Sequence, residues 1–214
     1  MKENYLSEFE IDLSSVKQHY IKRAKTSNKL VALLQGGNKT GYVELAVGIS
    51  DPLGNYSANE HQLGPRILES NSVDSVYNLA INMFSEQLKV THLPKLIYQA
   101  NLPYLKIGIG SEMGSLLQPN KFWVGNVRTI WSHLVIKHKG DWEKANEELE
   151  LYRNDDISSE MNYQIWRDIY LSMESSLITI FEISELWANE QEVKLGKKKY
   201  IWIDAVCNAL YERE

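Results

Sequence analysis

From about Ser159 to Asn189 apolar side chains return every three to four residues: Trp166, Ile169, Tyr170, Met173, Leu177, Ile180, Phe181 and Leu186, against an outer face bearing Asp168 and Glu174. A stripe of that period needs a long amphipathic helix with other helices beside it, which makes the second half of the chain helical. Local signals around it agree. Asn126 is placed to cap a helix through VRTIWSHLVIKH, Gly140 to stop it, and Asp141 to cap WEKANEELELYR, while YIWIDAVCNALYE supplies a last helix. At least four helices are therefore expected after residue 126.

The first part reads differently. Ser14 or Ser15 caps a short helix through VKQHYIKRAK, after which KLVALLQ and YVELAVGI are apolar, β-branched runs flanking GGNKTG. Such runs around a glycine turn predict a β-hairpin. The stretch SDPLGNYSANEHQLGPR predicts an exposed loop, and VDSVYNLAINMFSEQLKV a helix whose Val73, Val76, Tyr77, Ala80, Met83, Phe84 and Leu88 pack on that hairpin. In residues 91–126, Tyr104 to Ile109 reads as a strand leading into a glycine turn. The expected fold class is α+β: an N-terminal helix and β-hairpin packed with a mainly helical C-terminal half. One domain spanning residues 1–214 is expected, with a subdivision into a mixed part, 1–122, and a helical part, 123–214.

Composition narrows the class. At 43% hydrophobic and 24% charged residues, 214 residues are enough to bury a core without disulfide or metal, and the lone Cys207 has no intrachain partner. No apolar run approaches the roughly 18 to 20 residues of a membrane span, and MKENYLSEFEIDLSS has no hydrophobic signal core. The expectation is a cytoplasmic protein with no membrane partner. Charge is uneven: residues 141–192 carry 3 Lys+Arg against 14 Asp+Glu, whereas residues 1–140 carry 15 against 11. The acidic segment, a solvated helical face in its simplest reading, repels phosphate, so an anionic ligand would approach the first part or the cluster Lys194, Lys197, Lys198 and Lys199. All six tryptophans lie between residues 123 and 202.

Few motifs carry chemistry. QGGNKTG is no phosphate loop, because Asn38 and Leu33 stand where that loop needs glycines. In GIGSEMG the glycines at 108, 110 and 114 are spaced one residue too widely for a dinucleotide fingerprint, leaving a tight turn or a loop presenting Ser111 and Glu112. Glu192-Val193-Lys194 lacks the upstream aspartate that a metal-dependent nuclease needs. His133 and His138 are five residues apart, whereas a helical ligand pair wants four, so no metal or cofactor is expected. His138 falls with Val127, Ile130, Trp131 and Leu134 and reads as a core histidine, His133 as a partly exposed one.

Arg128-Thr129-Ile130-Trp131-Ser132-His133 resembles the R-x4-6-H motif of the HEPN ribonucleases. The resemblance implies a helical, metal-independent nuclease in which two protomers form one cleft. There His133 would handle the proton of the ribose 2′-OH or leaving oxygen, and Arg128 would stabilise charge on the phosphoryl group. Imidazole titrates near neutrality and guanidinium binds phosphate bidentately, so the residue types suit the reaction. Glu112 would join Arg128 and His133 as a catalytic group, with Ser111, Lys121 and Asn126 as binding neighbours and RNA and a second copy of the chain as partners. In the simpler reading Arg128 is a capping or salt-bridging surface residue. The second reading is a non-enzymatic interaction protein, a subunit or inhibitor in a bacterial or phage assembly. Its docking surface would be the tryptophan-rich half or the acidic face.

Overall fold

The computed structural model describes residue 6, residues 11–152 and residues 160–212. Among these residues every regular element is helical, so the α+β expectation is overturned: there is no β-hairpin and no strand. Eleven α-helices follow one another: α1 (Leu13–Gln35), α2 (Lys39–Ala46), α3 (Tyr56–Glu60), α4 (Leu63–Ser70), α5 (Val73–Phe84), α6 (Leu93–Ala100), α7 (Ile107–Leu117), α8 (Val127–Lys137), α9 (Trp142–Leu149), α10 (Glu160–Glu190) and α11 (Lys199–Tyr211). They fall into two compact units, one of Met1–Tyr20 with Val127–Glu214, the other of Ile21–Asn126.

The expected hairpin is the junction of α1 and α2. Buried Leu13, Val16, Arg23, Ser27, Leu30 and Leu34, with half-buried Tyr20 between Val16 and Arg23, keep one three-to-four stripe along α1, and the polar members Arg23 and Ser27 hide its continuity from a hydrophobicity reading. KLVALLQ is therefore the end of a helix. Gly37 takes a left-handed φ of 70°, the Gly37 amide donates to Leu34 O and the Asn38 amide to Leu33 O, which is a Schellman stop. The Asn38 side chain then accepts from the Gly41 amide at 3.0 Å and caps α2. Glycine and asparagine are wanted by hairpin turns and by helix-to-helix turns alike, and here the second use wins. At the start of α1 the cap is Asp12, which accepts from the Ser14 amide and the Ser15 hydroxyl, rather than either serine.

Within Ile21–Asn126, α7 is the centre. Ile107 and Ile109 to Leu117 are all buried, with α3, α5 and α6 packed around them. The segment expected as a strand and glycine turn is thus a helix whose small residues admit neighbours. A Cβ on Gly110 would lie 2.9 Å from Ile97 side-chain atoms, and one on Gly114 3.2 Å from Leu93. α5 starts where expected, capped by Ser72, but ends at Phe84, short of Leu88, and it packs on α2, with Tyr42 and Tyr77 edge to face at 5.7 Å. The expected loop after Ser50 contains a 3-10 turn (Pro52–Gly54), α3 and α4.

The other unit holds the helices expected after residue 126. α8 packs against α9, α10 and α11, and α10 against α11. Ile169, Tyr170, Met173, Leu177 and Ile180 of α10 are buried as the stripe requires, while Leu186 is exposed. Ser159, the expected start of that helix, and Arg153, the end of the expected α9 segment, lie outside the described residues. Asp141 caps α9 by accepting from the Lys144 amide at 3.1 Å. Gly140 closes α8, its amide bonding Val135 O while Lys139 takes the left-handed position. Gly196 carries Tyr20 against its bare α-carbon, and the Tyr20 hydroxyl accepts from the Lys198 amide at 3.2 Å. No described helix is long and apolar enough to cross a membrane.

Candidate functional site

Enclosure by three helices buries every residue of α8 from Thr129 to Val135, polar ones included. His133 is 5% exposed, with Nδ1 2.9 Å from Ser176 Oγ and Nε2 3.4 Å from Ser172 Oγ, both on α10. Burial, reinforced by the nearby Lys137 charge, holds its pKa down to about 4 from 6.5, so the ring is neutral at pH 7. His138 is the half-exposed one: its Nε2 pairs with Glu148 Oε2 at 2.8 Å. The two histidines have exchanged the places their helical phase implied, because α8 is covered on several sides and α10 offers His133 hydroxyl partners. Arg128 is half-buried near the start of α8, and its carbonyl accepts from Ser132 Oγ at 2.9 Å. Five residues along an α-helix turn through about 140°, which sets Arg128 and His133 on different sides of α8.

Around His138 the polar groups converge on Glu148. Lys137 Nζ donates to both its oxygens at 2.6 and 2.8 Å, and the Tyr152 hydroxyl donates at 3.2 Å. Burial works against ionisation of Glu148, yet the hydrogen bonds from Lys137 and His138 outweigh it and keep its carboxyl below the usual range. Burial, then the Glu148 charge, pushes the Tyr152 phenol up to about 12. This cluster ties α9 to α8.

The remaining expected site residues belong to the other unit. Glu112 is 1% exposed and accepts from the Tyr56 amide at 2.7 Å, the Ser57 amide at 3.0 Å, Ser57 Oγ at 2.8 Å and the Arg23 guanidinium. Arg23 also donates to Leu53 O and lies over the Tyr56 ring at 4.5 Å. A carboxylate so filled has no lone pair to spare for a substrate proton. Ser111 accepts from the Gly125 amide at 2.8 Å and donates to Gly108 O at 3.1 Å, fixing the chain before α8 onto α7. Lys121 Nζ donates to Glu86 O at 2.8 Å, and Asn126 directly precedes α8. Arg23, the partner that organises Glu112, carried no sequence signal, sitting between lysines at 22 and 25.

Outward from α8, the α9 edge presents a different chemistry. Trp142 is 50% exposed at the first position of α9, and Leu151, in the 3-10 turn (Glu150–Tyr152) that follows, is 67% exposed. Glu143 and Glu147 are exposed between them, while Ala145 and Leu149 face inward. Lys144 is drawn to the cap, its Nζ 2.6 Å from Asp141 Oδ2. Among the described residues no group of three or more His, Cys, Asp or Glu side chains is placed to hold a metal ion. No family model, curated protein or solved structure matches this chain. The α9 edge was legible in part: Asp141 predicts the cap that puts Trp142 at the first position of the helix. Leu151 has no such signal, since a leucine just past a helix usually folds back onto it.

Proposed function

We propose that this chain is a non-enzymatic interaction protein that docks another protein on the α9 edge. The observation that carries the reading is Trp142, left half exposed at the first position of α9; Leu151, 67% exposed in the trailing turn, is a second apolar side chain open to solvent. Tryptophan in such a position loses little entropy on binding and buries a large area, which is why it recurs at the centres of interfaces. The ribonuclease reading asks for an imidazole within reach of a ribose hydroxyl. His133, enclosed between α8 and α10 and neutral, is not placed to meet one.

Two measurements on the purified chain test it. Immobilised protein should retain a defined protein partner that the Trp142→Ala, Leu151→Glu variant does not retain, and a mixed-sequence RNA should stay intact with or without EDTA. RNA cleavage that survives EDTA and disappears in the Arg128→Ala, His133→Ala variant would overturn the reading in favour of the nuclease.

A further inference from the structure

We infer that the outer face of α1 binds the phosphate backbone of a nucleic acid through Lys22, Lys25 and Lys29, a function separate from the protein docking proposed for the α9 edge. The charge of the two units leads there first. Residues 21–126 carry 10 Lys+Arg against 7 Asp+Glu and the rest of the chain 13 against 21, so one unit of an acidic protein is cationic. On α1 the imbalance is complete: its 23 residues include five Lys or Arg and no Asp or Glu. Arg23 turns inward and pairs with buried Glu112, whereas Lys22, Lys25 and Lys29 are exposed. At 100° per residue the three lysines lie within about 60° of one another around the helix, and at 1.5 Å per residue they span about 10 Å along it. Exposed Lys39, Lys137 and Lys144 each hold a carboxylate, on Asp74, Glu148 and Asp141. Among the described residues, Lys22, Lys25 and Lys29 have neither an ion-pair nor a hydrogen-bond partner for their ammonium groups.

The rest of the face decides which polyanion fits. An anionic membrane holds a helix that also inserts an apolar side, but the apolar stripe of α1, Leu30 and Leu34 included, is buried, and Ile21 is the large apolar side chain left outside, 47% exposed. An acidic protein is held through an apolar centre rich in aromatic residues, and residues 21–35 contain no aromatic residue. A nucleic acid needs neither, because lysine–phosphate contacts with release of counterions supply its sequence-independent affinity. Exposed Asn28, Ala32 and Gln35 leave the surface beside the lysines small or polar, open to a close backbone. Spacing agrees: about 10 Å is three steps of a strand at 3.4 Å per phosphate along the duplex axis, so each ammonium reaches its own phosphate. With no ring to stack on a base, binding is blind to sequence.

The test uses the full chain and fluorescein-labelled duplex DNA and duplex RNA of mixed sequence, with fluorescence anisotropy read over a salt series. Three phosphate contacts give a slope of log affinity on log salt of about −2.7, so binding should weaken about 40-fold between about 50 and 200 mM salt. The Lys22→Gln, Lys25→Gln, Lys29→Gln variant should bind at least about tenfold more weakly and lose most of that slope. Replacing the three lysines by arginine keeps the charge and should keep the binding. A variant with the same change in net charge, Lys139→Gln, Lys194→Gln, Lys197→Gln, alters three exposed lysines of the other unit and should bind as the unaltered chain does. All are surface changes, so far-UV circular dichroism and thermal melts should match throughout. Binding of either duplex with these dependences supports the inference, and the tighter of the two names the source of the phosphates. Absence of binding at low salt would overturn it, as would equal weakening by the two glutamine variants, or tighter binding of anionic phospholipid vesicles or polyglutamate than of either duplex.

Discussion

At the scale of single residues, two buried polar groups each make a prediction. His133 takes up a proton near 6.5 when unfolded and only near 4 when folded. Its contribution is therefore complete above the unfolded value and is lost as pH falls from about 6.5 toward 4. At about 1.4 kcal/mol per unit the loss is ~3 kcal/mol. Urea unfolding of the chain and of His133→Gln across this window should show a shallower pH slope in the variant, and parallel slopes would contradict the buried neutral ring. Glu112 belongs to an ion pair with both side chains 1% exposed. Removing its charge strands the Arg23 guanidinium, so Glu112→Gln should cost about 3 kcal/mol or more by chemical denaturation. Neither role could be read from the residue type. His133 is buried through serines 39 and 43 positions away, and Glu112 is filled by groups 55, 56 and 89 positions away.

Elements were legible where their determinants are local. The cap at Asp141, the stop at Gly140 and the period of α10 are interactions among residues within a few positions, and they stand where the sequence places them. α7 is the counterexample, because three glycines in seven residues argue against a helix until the neighbours are known. A pair of substitutions separates the two effects. Gly108 has room, since a methyl group added there would find its nearest neighbours at 3.9 and 4.0 Å, so Gly108→Ala should raise stability by up to ~1 kcal/mol through helix propensity. Gly110 has none, since Ile97 stands at 2.9 Å, and Gly110→Ala should lower stability by about 1 to 3 kcal/mol. Thermal melts of both variants check the contrast, which vanishes if α7 is not the centre of its unit.

For the molecule as a whole, the two compact units each bury one central helix, α7 in one and α8 in the other. Cys207 offers a probe of the second. Its thiol is fully buried, and burial pushes it up to about 12. Alkylation at pH 8 should be negligible in the native chain and complete in denaturant, with the rate at intermediate urea tracking the opening of α11. Rapid native labelling would mean that this core is not closed. The acidic balance of residues 141–192 belongs to this scale too. It survives folding at exposed Glu143, Glu147, Asp168 and Glu174, so the charge contrast visible in the sequence is carried at solvent-facing positions.

The sequence by itself determined the helical second half, the Asp141 cap and the acidic balance of that half, because periodicity, capping and net charge are set by residues a few positions apart. Only the tertiary structure decided that KLVALLQ continues α1, that the glycine run is the buried centre of a bundle, and which histidine is enclosed. In each case the apolar pattern fitted two local structures almost equally. The choice fell to contacts between residues distant in the chain: Ser27 with Leu116, Gly110 with Ile97, and His133 with Ser176.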